Sequence, residues 1–105
     1  MDIKELRIGN YIEMDKNVFS LNYIDHREIK DYLPIKITEE WLLNLGFVKN
    51  LNHGIENYIT SDFTYYPDNK QVKIFDRFGG YIYVENIEFV HQLQNLYFAL
   101  TQKEL

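Results

Sequence analysis

The side chains on which hydrolytic or metal chemistry would draw are spread thinly along this chain of 105 residues. Its histidines, His26, His53 and His91, lie far apart, and none has a second ligand three or four residues on along a helix. A metal site would have to be assembled wholly by the fold, so ordinary surface histidines are the simpler expectation. Asp62, Asp68, Asp76 and Glu85 would supply paired carboxylates for acid–base work, but most of them sit at turn positions. There Asp is favoured for local hydrogen bonding rather than catalysis. Serine occurs only at Ser20 and Ser61, neither in a nucleophile-elbow setting. The Gly79-Gly80 pair precedes a strand pattern, whereas a phosphate-cradling loop leads into a helix, so it reads as a hairpin turn. No catalytic residue, metal or cofactor is expected.

Tyrosine is the more informative excess. The chain has nine, with Tyr58, Tyr65, Tyr66, Tyr81 and Tyr83 concentrated in one region. Tyr81 and Tyr83 share one face of a strand and Ile82 and Val84 the other, so one pair points away from the core. Lys70, Lys73 and Arg77 lie beside them. We take Tyr65, Tyr66, Lys70, Lys73, Arg77, Tyr81 and Tyr83 as the candidate partner-binding set. Such rings anchor protein partners or stack on the bases of single-stranded nucleic acid. The plainer reading packs them against a helix with their hydroxyls reaching solvent. Asp68 and Asp76, interspersed among the cations, favour a solvated face of mixed charge.

These residues are positioned by elements whose periods differ. ELRIGNYIEM, Glu5 to Met14, alternates as a strand bent at Gly9, and Asp15-Lys16-Asn17 reads as a turn into a second strand, Val18 to Ile24. His26 to Tyr32 reads as an exposed connection, and Ile35 to Ile37 as a short strand. Thr38 is the expected N-cap of a two-turn helix, with Glu39 and Glu40 at its positive end, Trp41, Leu42 and Leu45 along its buried stripe, and Gly46 as its stop. The polar run KNLNHG after Val48 reads as a loop. Ile55 to Thr60, Phe63 to Tyr66, Gln71 to Phe75 and Tyr81 to Val84 then read as an antiparallel meander, because their links are short. From about Asn86 to Thr101 the period becomes helical: Phe89 or Val90, Leu93, Leu96 or Tyr97 and Leu100 on the apolar side, with Glu88, His91, Gln92, Gln94 and Asn95 opposite. The expected fold is α+β: an antiparallel sheet of N-terminal hairpin plus C-terminal meander, packed against a short central helix and a C-terminal amphipathic helix.

Composition bounds the function classes. At this length a single domain over residues 1–105 is expected. The net charge of −5, from 16 acidic and 11 basic side chains, disfavours affinity built on neutralising phosphates. The absence of cysteine removes disulfides, thiolate catalysis and cysteine-held metals. No run is long and apolar enough for a signal peptide or a membrane span, which implies a cytoplasmic setting.

ELRIGNYI, PIKITEEWLLNLGF and VHQLQNLYFALTQKEL together resemble a family of short uncharacterised proteins of phages and prophages of Bacteroidetes-type bacteria. The resemblance implies a bacterial host cytoplasm and no particular activity. By analogy with small acidic phage proteins, it implies a non-enzymatic binder of a host protein: an anti-CRISPR-like inhibitor of a nuclease or nuclease–RNA complex. A single-stranded nucleic-acid-binding module is the alternative.

Overall fold

The computed structural model describes residues 1–105, the side chain of Asn52 excepted. It is α+β, as the sequence implies, and divides into two compact units: residues 1–37 with 88–105, and residues 38–87.

The first unit is built on a hairpin, β1 (Tyr11–Met14) against β2 (Asn17–Ser20), joined by Asp15-Lys16. Both turn residues have positive φ, 51° and 66°, the mirror-image turn whose twist matches that of the paired strands. The first strand is shorter than the alternation suggests. Ile3–Glu5 is a 3-10 helix capped by the Asp2 carboxylate, and Gly9 (φ 98°) belongs to a turn ahead of β1. Its amide donates to the Leu21 carbonyl, and a side chain there would meet the Glu104 carboxylate.

The stretch taken for an exposed connection contains core. Tyr32 is buried with Ile12 and Leu21, while Met1, Leu6, Met14, Ile24 and Ile29 pack around them. One 3-10 turn, Ile29–Asp31, delivers the Tyr32 ring, and Leu33 then exchanges two backbone hydrogen bonds with Glu13. Residues 35–37 make a single bridge, Lys36 to Phe89, rather than a strand.

The C-terminal helix α2 (Val90–Thr101) packs on this hairpin. Its end matches the periodicity, but its start lies four residues beyond Asn86. Asn86 has φ 63°, outside the geometry of an N-cap. Phe89 stays extended, held on either side where the Glu88 carbonyl accepts from the Ile37 amide and the Val90 amide donates to the Ile35 carbonyl. Gln92 does the capping instead, its Oε1 accepting from the amides of Glu88 and Phe89 at 2.8 and 3.0 Å.

The buried side of α2 also differs from the expected stripe. Val90 and Leu93 are buried, but so are His91 and Gln94, whereas Leu100 is exposed. The cause is the backbone of the Gly9 turn, whose polar groups need partners once buried. Gln94 accepts from the Tyr11 amide (2.9 Å) and donates to the Gly9 carbonyl (3.1 Å). Asn95 accepts from Asn10 (2.8 Å) and donates to the Glu5 carbonyl (2.9 Å). Arg7 adds a two-pronged pair with Glu104, and its guanidinium lies 4.2 Å from the centre of the Phe98 ring.

The second unit begins with α1 (Glu39–Asn44), capped as its sequence implies: Thr38 Oγ1 accepts from the Trp41 amide. At the other end Gly46 (φ 98°) donates to the Leu43 carbonyl and Phe47 to the Leu42 carbonyl. That is a Schellman closure, and the buried Leu42 and Phe47 are its apolar pair.

A five-stranded antiparallel meander follows, in the order β3 (Val48–Asn52), β4 (Ile55–Thr60), β5 (Phe63–Tyr66), β6 (Gln71–Phe75) and β7 (Tyr81–Val84). The polar run expected as a loop is therefore the strand β3. It is an edge strand, where one neighbour suffices and its residues stay largely exposed, so it lacks the apolar alternation of its partners. His53 and Gly54, both at positive φ, turn it into β4. The β6–β7 turn is held by Asp76, whose Oδ1 accepts from the amides of Phe78 and Gly80 at 2.8 and 2.9 Å. A Cβ at Gly80 would approach Asp76 Oδ2 to 2.7 Å, so any larger residue would displace the carboxylate that holds the turn.

Candidate functional site

Cross-strand register separates the two faces of the meander. On the inner face, Tyr58 pairs with Tyr65 and Tyr65 with Val72, while Phe63 pairs with Ile74, and all five are buried. On the outer face Val48, Ile59, Thr64, Lys73 and Tyr83 form one continuous row, with Phe75 opposite Tyr81 beside it.

The outer face carries an exposed aromatic cluster. Tyr81, Tyr83 and Phe75 are 54%, 48% and 42% exposed. The rings meet edge to face, the centres of Phe75 and Tyr81 lying 6.0 Å apart and those of Tyr81 and Tyr83 5.6 Å apart.

 The Phe75 and Tyr81 rings cross at 63°, and those of Tyr81 and Tyr83 at 83°. Lys73 reaches over all three, its Nζ 4.8 Å from the Phe75 ring centre, 4.3 Å from Tyr81 and 5.8 Å from Tyr83. Ile59 and Val48 are exposed farther along the same row toward β3, beyond the buried Thr64.

Of the seven candidate residues, the fold therefore brings Lys73, Tyr81 and Tyr83 together. Tyr65 points the other way and is buried, its hydroxyl donating to the Ile87 carbonyl at 2.8 Å, so it belongs to the core and not to a binding face. Tyr66 shares the outer face with Gln71 but is half-buried. Lys70 and Arg77 occupy the turns at opposite ends of β6. Phe75, Ile59 and Val48 are the members the sequence reading missed. Phe75 had a signal, standing two residues beyond Lys73 and hence on the same face.

Two of the four carboxylates weighed for acid–base chemistry have local roles here. Asp76 closes its own turn, and Glu85 accepts from Gln71 at 3.2 Å. Elsewhere in this unit Lys49 bridges Glu39 (3.2 Å) and Glu56 (3.4 Å). Burial and a hydrogen bond to Glu39 push the Tyr58 phenol up from its usual range. Among the described residues, no three His, Asp or Glu side chains converge as metal ligands would. His91 departs from the surface reading: it is buried, stacked on Phe89 at 6.1 Å, and neither ring nitrogen has a partner among the described residues. No described helix is long and apolar enough to cross a membrane.

Comparison of the chain with protein-family models, curated proteins and solved structures finds no match in any of the three.

Proposed function

We propose that this chain is a non-enzymatic binding protein that holds a protein partner against the outer face of its meander. The observation that carries the reading is the exposed cluster of Phe75, Tyr81 and Tyr83 around Lys73, with Ile59 and Val48 exposed farther along the same row. Aromatic rings with polar tips, bordered by aliphatic surface, are what protein interfaces use as anchors. The resemblance to phage and prophage proteins supplies the context: a bacterial cytoplasm, and a host defence effector such as an RNA-guided nuclease as the partner.

Charge favours a protein over a nucleic acid on this face. Residues 38–87 carry seven acidic and four basic side chains, and among the described residues Lys73 is the cation over the three rings. Phosphate binding would call for several cations together. A tagged chain used to capture partners from prophage-bearing cells is expected to retain one stoichiometric host protein. The Tyr81→Ala/Tyr83→Ala double variant is expected to lose it without a change in melting temperature. Retention by the double variant would overturn the reading. Binding of a single-stranded oligonucleotide at low salt, lost in the same variant, would replace the protein partner with nucleic acid.

A further inference from the structure

The first unit holds a pocket of about 250 Å³ between the hairpin and the segment that follows it. Ile12 and Tyr32, both buried, contribute to its lining, as do Met14, Phe19, Tyr23 and Glu28. The volume falls below the roughly 300–1,000 Å³ of sites for drug-sized ligands and suits a group about the size of one side chain.

Its chemistry is specific. Three aromatic residues line one small pocket together with a carboxylate, and no lysine, arginine or histidine is among the lining residues. The neighbouring cation, the Arg27 guanidinium, hydrogen-bonds to Asp25 at 3.1 Å, and its weaker Coulombic pull reaches Glu28. The N-terminal ammonium donates to the Ile29 carbonyl. Glu28 makes no salt bridge among the described residues and is half-buried. Ring faces attract cations through their quadrupoles, a carboxylate adds full charge, and an apolar lining accepts an alkyl stem.

We propose that this pocket binds an organic cation carried on a short alkyl stem, an ammonium or guanidinium group, with Phe19, Tyr23 and Tyr32 around the cation and Glu28 as its counter-charge. The pocket lies in the first unit and does not rest on the reading of the meander face. Two sources present this chemistry: a free amine, and a lysine or arginine side chain of another protein.

The test is amide chemical-shift titration of the full chain with butylammonium, with 1-pentanol as the neutral control of similar length. Saturable shifts confined to residues 12–32 are expected with butylammonium and not with 1-pentanol. Glu28→Gln and Tyr23→Ala should each weaken binding about fivefold or more. Both side chains lie outside the core cluster, so unchanged amide shifts elsewhere verify the fold. A Gly-Lys-Gly peptide that binds more tightly than butylammonium assigns the site to a partner's side chain, and the reverse order assigns it to a free amine. Equal binding of 1-pentanol, the absence of saturable shifts, or an unchanged affinity in Glu28→Gln would overturn the proposal.

Discussion

At the scale of single residues, His91 is the side chain whose environment departs most from its type. Burial lowers its pKa below the ordinary histidine value, against a smaller opposing pull from Glu5. In the unfolded chain the imidazole titrates at about 6.5. Above that value both states are neutral and His91 adds no pH dependence. As pH falls through it, the unfolded chain takes up a proton that the folded chain refuses, so stability falls until the lowered folded pKa is passed. Urea midpoints should therefore drop between about pH 7.5 and pH 5, a window above most carboxylate titration. His91→Leu should flatten part of that slope, because no titrating group is left at this position, and it also removes two unpartnered buried nitrogens. An identical slope in the variant would show that His91 does not titrate with unfolding.

At the scale of elements, the hairpin turn and the C-terminal helix each carry a prediction. Lys16 sits at φ 66°, where a side chain costs about 1–2 kcal/mol and glycine is at ease. Glycine's extra freedom in the unfolded chain returns about 0.5–1 kcal/mol, so Lys16→Gly should raise stability by roughly 0.5–1 kcal/mol in chemical denaturation. On α2, Leu93 is fully buried and Leu100 is exposed. Leu93→Ala should destabilise by about 2–5 kcal/mol, and Leu100→Ala by no more than about 0.5 kcal/mol. The reverse order would show that the apolar side of α2 had been assigned to the wrong residues. The capped helix at Thr38, the Asp15-Lys16 turn and four meander strands were legible because each is set by neighbours in sequence. The strand β3 was not, since an edge strand needs little apolar pattern, and the start of α2 was not, since it depends on hydrogen bonds to residues 35–37. The candidate site was legible in its alternation, which placed Tyr81 and Tyr83 on one face. Tyr65 was misassigned because proximity to other tyrosines in sequence does not say on which face of its own strand a ring stands.

At the scale of the whole molecule, the two units differ in how the chain builds them. Residues 38–87 form a continuous segment whose ladders join strands adjacent in sequence. The first unit is discontinuous, made from residues 1–37 and 88–105. Its hairpin depends on α2 for polar partners: without Gln94 and Asn95, the Tyr11 amide, the Gly9 and Glu5 carbonyls and the Asn10 side chain each lose a hydrogen bond. A two-stranded hairpin is by itself marginal in water, and the small core of Ile12, Leu21 and Tyr32 is all that residues 1–37 set against that loss. A chain ending at Ile87 should therefore lose the dispersed amide signals of residues 1–37 while those of residues 48–84 keep their shifts. Local contacts sustain the meander, whereas contacts closing a long separation, such as the 83 residues from Tyr11 to Gln94, sustain the hairpin. Collapse of both sets of signals together would show instead that the meander needs the first unit in order to fold.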